Sequence, residues 1–545
     1  MSAGLRPLIL VRGFGGPDVS DEQRNAYQGF NDGTVYPSKR GGNYIYEGFL
    51  LRALKSDRYP YRDATNVVGY YATDVTTVEP DEDWTPDAIT GSIVIDPTTE
   101  RKVLERGVAG TLWVYRYYDL VPRSLARYGD GLVRLIELIE KAAGRHGDAF
   151  DGVDLLAHSM GGLVVRATLS QLDTQEKGSA ARRVHRVVTL GTPHRGIAFQ
   201  RIPRWMLNVL PYAEKAADEI ASFDPESTSF REVADWFPVR RILTVVGTNY
   251  RTYGVSAATV MNRLSNLVDQ GALGYNRSDG LVKQSSAQLP GAPRTFVHKC
   301  HGGPDSLITS RESYEIAMRF FHATHRVRLW LDDAQIPRGG GWFGRSEYYF
   351  GVSIKPRYVD FELFHQSPEA ENCYGPFTRS DFSDPLPDLA TELSLPLAAP
   401  GDRTTGWAGP DRLIWEGWMD DGARPEEAAA GLVFRLDLFV GERDGCGIGF
   451  SDNVIVRKQF YVQIFPTRPL SLFVHTGEQY LGTRAPKTCA ELAELAGEGW
   501  SADVQNPRNL RLDQTVKDGE WVLEVGGTGF DARLRLEITP ENPVA

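Results

Sequence analysis

The sequence predicts an α/β protein with a C-terminal all-β, sandwich-like region, and two observations support this prediction. From the N-terminus to about residue 325, strand-like apolar runs alternate with amphipathic helical segments, which is typical of a parallel sheet covered by helices on both faces. From residue 326 onward the apolar runs are short, rich in aromatic and β-branched residues, and separated by Gly, Pro and Asp. We therefore expect two regions, residues 1–325 and 326–545.

The elements of the first region follow from short apolar runs and from apolar residues at helical spacing. The clearest helix spans residues 125–146, where Leu132, Leu135 and Ile136 share an apolar stripe opposite charged residues. Further helices are expected at 46–55, 162–172 and 311–322. Strands are expected at 8–11, 66–70, 111–117, 153–156, 186–190, 241–246 and 295–299.

The second region is expected to be antiparallel because its apolar runs alternate with polar residues and are joined by short turns. Strands are expected at 327–333, 347–354, 359–364, 411–418, 432–440, 460–465, 470–475, 520–525 and 533–538.

The overall composition excludes some classes of function. A hydrophobic content of 41% can form a sizeable core, and a net charge of −11 argues against nucleic acid as a partner. No apolar run approaches the roughly 18 residues needed to span a membrane. The N-terminal apolar run is too short for a signal peptide, so we expect a cytoplasmic protein or one whose leader has been removed.

The four cysteines, Cys300, Cys373, Cys446 and Cys489, have no metal-ligand spacing. We interpret them as free thiols, with one disulfide among the last three as the alternative. His194 has no second potential ligand nearby at a suitable spacing, so a structural role is favoured over metal binding. The sequence therefore predicts neither a metal nor a cofactor.

The stretch LLAHSMGGLV, residues 155–164, is typical of a serine nucleophile on a sharp strand-to-helix turn. Ser159 follows an apolar strand and precedes a helical segment, and the positions two before and two after it, Ala157 and Gly161, are small. A tight turn requires small residues there, because larger side chains would collide across it. A chance match inside an ordinary helix is the alternative. The presence or absence of the other members of a catalytic triad decides between these two interpretations.

In a sheet of this kind the acid and the histidine follow the serine along the chain. Asp279 precedes Gly280 in a turn-like stretch, and glycine permits the backbone angles that let a short carboxylate face an active site. Asp269 is the alternative acid, but it falls in a helical run. For the base, His301 lies in a Gly-rich loop and is favoured over His298, which falls inside the run 295–299.

Four segments in order, LILVRGFGG, AHSMGG, VVTLGTPHRG and SDGLV, resemble the α/β-hydrolase lipases and esterases, especially bacterial lipases and glycosylphosphatidylinositol inositol-deacylases. The resemblance covers residues 5–325 and implies an α/β-hydrolase fold with Ser159, Asp279 and His301 as catalytic residues. It also implies an oxyanion hole formed by the backbone N–H groups of Phe14 and Met160. Such lipases usually have His-Gly where this chain has Arg12-Gly13, so the bracing of that turn differs.

The resemblance implies a serine hydrolase that cleaves hydrophobic or lipid esters through an acyl-enzyme, with a small-molecule or lipid ester as substrate. An acyltransferase that uses the same triad, and a lipid- or surface-binding protein with a vestigial hydrolase domain, are the alternatives. Insertions are expected at 17–45, 73–110 and 197–238. The last is either a lid or an extra helix pair packed on the core.

The C-terminal region is expected either to contact lipid surfaces peripherally or to act as a packing or dimerisation partner, and the sequence does not predict the oligomeric state. Asp332, Asp333 and Asp452 fall in expected turns where calcium could bind. Solvated carboxylates are the favoured interpretation, because calcium requires six to eight oxygen ligands and no loop here is dense in them.

Overall fold

The computed structural model describes a large part of the chain, in separate ranges. These are residues 5–13, 30, 33–35, 43–45, 48–69, 93–95, 102–103, 105–117, 125–194, 233–249, 278–284, 286–289, 291–302, 305–322, 324–335, 346–357, 359, 361–365, 374–377, 413–420, 432–444, 453–465, 470–475, 491, 509–512, 519–527 and 530–541. The chain forms two compact units. The first comprises the described residues within 1–262, 278–294 and 299–317, and the second those within 263–277, 295–298 and 318–545. The expected division at residue 325 stays a prediction.

An eight-stranded sheet contains all seven strands expected before residue 325. In chain order its members are β1 (Leu8–Val11), β4 (Arg62–Gly69), β5 (Ile93–Ile95), β6 (Thr111–Arg116), β7 (Val153–His158), β8 (Val184–Leu190), β9 (Ile242–Gly247) and β10 (Arg294–Val297). Their order in the sheet is β10-β9-β8-β7-β1-β6-β4-β5. Every pair from β9 to β4 is parallel, which confirms the predicted α/β sheet.

The central strands are buried throughout, and this is why they appear in the sequence as mainly apolar runs. All residues of β1, β7, β8 and β9 are buried. Strands covered on both faces have no solvent side on which polar residues would alternate. Mainly apolar runs of this length therefore predict the strands at the centre of the sheet.

Two insertions contain strands that the sequence pattern did not predict. β5 lies within the expected insertion 73–110 and pairs antiparallel with β4 at the edge of the sheet. A separate antiparallel pair, β2 (Gly33–Val35) and β3 (Asn43–Ile45), lies within the expected insertion 17–45. These strands have only three residues each, too few to show a recognisable alternation.

Four of the helices in the described residues match the four expected positions, and two short ones, at Ser179–Arg183 and Val233–Trp236, were not predicted. The helices are α1 (Phe49–Lys55), α2 (Leu125–His146), α3 (Gly161–Gln175), α4 (Ser179–Arg183), α5 (Val233–Trp236) and α6 (Arg311–His322), with a 3₁₀ turn at Val239–Arg241. The bounds of α2 and α6 are those expected. In α2 the predicted stripe residues Leu132, Leu135 and Ile136 are fully buried, as burial against the sheet core requires.

Of the expected insertion 197–238, residues 233–238 are within the described part of the chain. Val233 and Phe237 are buried in the core, and Trp236 packs against it. Whether residues 197–232 form a lid lies outside the described residues. No helix among the described residues is both long and apolar enough to cross a membrane.

The C-terminal region contains two antiparallel sheets, as the sequence predicts. A four-stranded sheet has the order β15-β11-β21-β20, with β11 at His325–Gln335, β15 at Leu413–Met419, β20 at Glu520–Gly527 and β21 at Phe530–Pro540. A second sheet has the order β13-β12-β16-β17-β18-β19, and β14 also pairs with β12. Its strands are β12 (Ser346–Pro356), β13 (Phe364–His365), β14 (Tyr374–Phe377), β16 (Leu432–Asp444), β17 (Asn453–Phe465), β18 (Ser471–His475) and β19 (Asn509–Leu512).

An aromatic contact joins these two sheets. The ring of Trp415 in β15 lies 5.8 Å from that of Phe434 in β16 and 6.4 Å from that of Phe364 in β13, measured between centroids. All three side chains are buried. Packing of this kind between sheet faces is what a sandwich-like region requires.

Two expectations for the C-terminal region were wrong. The run 359–364 is not one strand, because the chain turns after Pro356: the N–H of Leu363 donates to the carbonyl of Ile354 over 2.8 Å, and only Phe364–His365 is extended. Asp332 and Asp333 do not lie in a turn but within β11, where a bulge shifts the register. Asp332 is paired with Arg535, at 3.1 Å between Oδ1 and Nε. Asp452 lies outside the described residues.

Candidate active site

Ser159 lies in a strained turn between β7 and α3. Its φ angle is +52°, in the left-handed region that residues with a side chain rarely adopt. Its N–H donates to the carbonyl of Leu190 at the end of the adjacent strand β8, over 2.9 Å. The side chain is partly exposed, whereas His158 and Met160 on either side are buried. The turn therefore presents the hydroxyl beyond the end of the sheet.

The backbone around this turn is packed so closely that it requires small residues. A Cβ at Gly13 would lie 2.4 Å from Cβ of Ser159, and one at Gly161 would lie 2.5 Å from the carbonyl oxygen of Arg12. A Cβ at Gly162 would lie 2.2 Å from the Oγ1 of Thr192. Real Cβ atoms do not approach other atoms this closely. The small residue noted after the serine, Gly161, therefore has a steric cause.

The three residues expected to form a triad lie together, although they are far apart in sequence. Nδ1 of His301 is 2.8 Å from Oδ2 of Asp279, and Nε2 of His301 is 2.9 Å from Oγ of Ser159. Asp279 and His301 are buried, and Ser159 faces solvent in part. The arrangement contains a hydroxyl, an imidazole and a carboxylate in one continuous hydrogen-bonded chain.

Backbone hydrogen bonds hold the carboxylate of Asp279 in place. Its Oδ1 accepts from the N–H groups of Leu281 at 3.0 Å and Val282 at 2.7 Å, so Oδ2 is left to face His301. The turn passes through Gly280, whose φ of +101° only glycine adopts readily. Gly247 on β9 makes room beside it, since a Cβ there would lie 2.6 Å from Cβ of Asp279. Asp269, the alternative acid, lies outside the described residues.

The loop that carries His301 is also fixed by its own backbone. The N–H of Cys300 donates to the carbonyl of Asp305, and the N–H of Leu307 donates to the carbonyl of Cys300. Nζ of Lys299 lies 2.8 Å from Oδ1 of Asp305, and this ion pair joins the two sides of the loop. Cys300 is a buried free thiol, as expected, whereas the other three cysteines lie outside the described residues.

The position of His298 differs from the sequence expectation. Strand β10 ends at Val297, so His298 is the first residue beyond the strand and is exposed. The expectation that His298 lies inside the strand was therefore wrong. The histidine in contact with Ser159 and Asp279 is His301.

Of the two residues expected to form an oxyanion hole, the structure describes Met160. Met160 immediately precedes α3, where the first backbone N–H groups have no partner within the helix. Phe14 lies outside the described residues. Its neighbour Gly13 is described, and an added Cβ on it would lie 3.1 Å from Oγ of Ser159. The turn after β1 therefore reaches the serine, and the oxyanion hole stays a prediction.

A further residue at this site, His158, was not singled out from the sequence. Its side chain is buried, and its Nε2 lies 2.8 Å from the carbonyl oxygen of His301. Burial, followed by the nearby His301, lowers the pKa of His158 well below its usual value. The only signal in the sequence was its position between Ala157 and Ser159, where the nucleophile turn specifies no residue type.

His194 is part of the packing behind the site. Its Nε2 lies 3.0 Å from Oγ1 of Thr189, and its carbonyl accepts a hydrogen bond of 2.8 Å from Nη1 of Arg166. Burial and then the charge of Arg166 lower the pKa of His194 well below its usual value. Within the described ranges, no group of three or more His, Cys, Asp or Glu residues is arranged to hold a metal ion.

Comparison with known families identifies the segment around Ser159. Residues 117–203 match a family model described as a PGAP1-like alpha/beta domain, and this segment includes β7, the serine turn, α3 and β8. The match and the parallel sheet show an α/β-hydrolase-like fold for this part of the chain. They confirm the expected resemblance to lipases and esterases of this fold.

Solved structures that align with this chain are similar at low identity. A Bacillus licheniformis lipase in its propeptide form is 11% identical, with 84% of this chain and 94% of that chain covered and a TM-score of 0.31. Phospholipase PlaB from Legionella pneumophila is 12% identical, with 89% and 98% covered and a TM-score of 0.34. No curated protein sequence matches this chain significantly.

Proposed function

We propose that this protein is a serine hydrolase that cleaves carboxylic esters of hydrophobic, lipid-like molecules through a covalent acyl-enzyme on Ser159. The observation that carries the proposal is the hydrogen-bonded chain from Asp279 through His301 to Ser159, with bonds of 2.8 and 2.9 Å. A serine hydroxyl is a weak nucleophile by itself and needs an adjacent, oriented base. His301 is placed to be that base, and Asp279 is placed to orient it.

In the acylation step, Oγ of Ser159 attacks the carbonyl carbon of the ester while Nε2 of His301 accepts the hydroxyl proton. The imidazole becomes an imidazolium, and the carboxylate of Asp279 stabilises it through the Nδ1–H hydrogen bond. This bond also fixes the neutral tautomer before the reaction, because Nδ1 must carry hydrogen to donate to Oδ2. Nε2 is then free to accept the proton from the serine.

The carbonyl oxygen becomes an oxyanion as the new bond forms. The backbone N–H groups of Met160 and Phe14 are proposed to donate to it, each contributing about 3 kcal/mol of transition-state stabilisation. The imidazolium of His301 then gives its proton to the departing alcohol. Water attacks the acyl-enzyme by the same path in reverse, so the acid is released and Ser159 regains its proton.

The substrate class rests on the sequence. The motifs around Ser159 and Asp279 resemble those of lipases and esterases, and the family-model match covers the first of them. The insertion 197–238, which follows β8 in sequence, holds the apolar residues Trp205, Met206, Leu207, Val209 and Leu210. Apolar side chains of this kind line sites for acyl chains or hydrophobic alcohols.

The test is hydrolysis of 4-nitrophenyl esters from acetate to palmitate by the full-length protein and by the Ser159→Ala variant. We expect kcat/KM to rise from acetate to the longer acyl chains, and Ser159→Ala to lower it by about 10⁴-fold or more. Equal activity in the variant would contradict the role of Ser159. A rate that falls from acetate onward would contradict the hydrophobic substrate class alone.

Product analysis separates hydrolysis from acyl transfer with the same triad. The reaction is run with and without an added primary alcohol, and the acyl products are quantified by mass spectrometry. We expect the free acid to remain the main product in both reactions. Predominant formation of the new ester would assign the protein to the acyltransferases instead.

A further inference from the structure

His158 precedes the proposed nucleophile and makes a hydrogen bond to the backbone of the proposed base. It is the last residue of β7, and its Nε2 lies 2.8 Å from the carbonyl oxygen of His301, 143 residues further along the chain. A carbonyl oxygen can only accept, so Nε2 of His158 must carry the hydrogen. The contact is therefore a long-range hydrogen bond with a defined direction.

Together with this bond, His301 is held at both its backbone and its ring. Its N–H donates to the carbonyl of Asp279 over 2.9 Å, and its carbonyl accepts from His158. Its ring nitrogens contact Asp279 and Ser159. The rings of His158 and His301 lie 4.9 Å apart between centroids, so the side chain of His158 also packs against the base.

We propose that His158 is a positioning residue for the reaction: its hydrogen bond ties the His301 loop to the strand end that carries Ser159. This inference rests on the proposed function. Ser159 and His158 are consecutive, so a single strand end fixes both the hydroxyl and the donor that locates the base. Loss of the donor releases one anchor of the His301 backbone and widens the range of distances between His301 Nε2 and Ser159 Oγ. A misplacement of about 1 Å can lower a catalytic rate by about 100-fold.

The charge state of His158 suits this role. Burial, the proximity of His301 and the charge of Arg12 all lower the pKa of His158, so its imidazole stays neutral at neutral pH. A neutral ring can still donate through Nε2. It adds no positive charge next to His301, whose imidazolium forms during acylation and would be destabilised by a like charge at this separation.

The experiment compares two variants that separate the hydrogen bond from the ring contact. His158→Phe keeps a buried ring but has no donor, whereas His158→Gln keeps an N–H donor at a similar reach but has no ring. With 4-nitrophenyl butyrate we expect His158→Phe to lower kcat by about 10- to 100-fold with KM unchanged. We expect His158→Gln to retain kcat within about threefold of the wild type. If the larger ring of Phe prevents folding, His158→Leu replaces it.

The matched control is His185→Gln. His185 is also buried and lies on the same sheet, but it contacts Asp154 near the opposite end of β7. The His185→Gln variant should have a lower midpoint temperature of thermal unfolding than the wild type, with kcat unchanged at 25 °C. If both His158 variants lose kcat equally, or if neither does, the positioning role is refuted. Hydrolysis by Ser159→Ala at the wild-type rate would instead refute the proposed function, so the two failures are distinguishable.

Discussion

Two buried histidine–aspartate pairs are nearly identical in geometry but lie in different surroundings, one within strands of the central sheet and the other in the loops beyond the strand ends. Nδ1 of His301 is 2.8 Å from a carboxylate oxygen of Asp279, and Nδ1 of His185 is 2.8 Å from one of Asp154. The imidazole side chains are 5% and 6% exposed, and both carboxylates are 1% exposed. Distance and burial therefore do not distinguish the proposed catalytic pair from the other.

The difference lies in the third partner. Nε2 of His301 faces the hydroxyl of Ser159, whereas among the described residues His185 has Asp154 as its only hydrogen-bond partner. Asp154 and His185 lie near the starts of β7 and β8, while Ser159 follows the end of β7. A pair of this kind acquires a chemical role only where the chain presents a nucleophile to it. In parallel sheets that occurs where the strands end and the loops begin.

The largest effect should come from removing the two imidazoles in turn. His301→Ala should lower kcat/KM for 4-nitrophenyl butyrate by about 10⁴-fold or more, because Ser159 loses its base. His185→Ala should leave the rate within about threefold but lower the free energy of unfolding by roughly 3–5 kcal/mol, because it leaves a buried carboxylate without its partner. Steady-state kinetics and urea unfolding measure the two quantities. A large loss of rate in His185→Ala would remove the distinction between the pairs.

The next effect concerns the carboxylates. Asp279→Asn should lower kcat by about 10³- to 10⁴-fold, because an amide no longer fixes the tautomer or stabilises the imidazolium of His301. Asp154→Asn is the matched control, and its kcat should be unchanged. If Asp279→Asn retains the wild-type kcat, the carboxylate does not orient the base, and the site works as a serine–histidine pair.

A smaller effect is expected from filling the space beside Ser159. Gly13→Ala places a Cβ 2.4 Å from Cβ of Ser159, so the turn must shift and kcat should fall by about 10- to 100-fold. Gly144→Ala is the control, because no atom lies within 4 Å of its added Cβ inside helix α2. This control should keep full activity and gain roughly 0.5–1 kcal/mol of stability. Similar activity of the two variants would show that the close approach of Gly13 has no functional role.

The smallest effect concerns His158 and His194, which are buried without a carboxylate partner among the described residues. The pKa values of both are lowered, chiefly by burial, so the folded state resists protonation. Below about pH 6.5 the unfolded state binds these protons and the folded state does not, so stability falls as pH falls, by up to about 1.4 kcal/mol per pH unit for each histidine. Urea unfolding of the wild type and His194→Gln between pH 7.5 and 5.5 measures this slope. The variant should show the shallower decline, and an unchanged slope would contradict the account.

Much of the fold could be predicted because its signals are local. The fully buried strands β7 and β8 are mainly apolar, and helix α2 has an apolar stripe, so each segment indicates its own structure. The edge strand β5 was not predicted, because three residues carry no periodic signal and their partner in β4 lies elsewhere in the chain.

The candidate site likewise contains features that the sequence predicted and contacts that it did not. The turn at Ser159 has a local steric signature, and the order of residues along the chain pointed to Asp279 and His301. The bond from His158 to His301 joins residues 143 positions apart, and the pair of Asp154 and His185 joins residues 31 positions apart. Side-chain contacts of this kind depend on how strands and loops pack, and neither residue type nor spacing indicates them in advance.

The most direct test of the central claim is covalent labelling with a fluorophosphonate, followed by mass spectrometric mapping of the adduct in the full-length protein. A fluorophosphonate reacts with a serine activated by an adjacent base, so the label distinguishes Ser159 from every serine without one. The account predicts a single adduct on Ser159 in the wild type and in His185→Ala, and none in Ser159→Ala or His301→Ala. An unlabelled wild type, or a label that persists in Ser159→Ala, would contradict it.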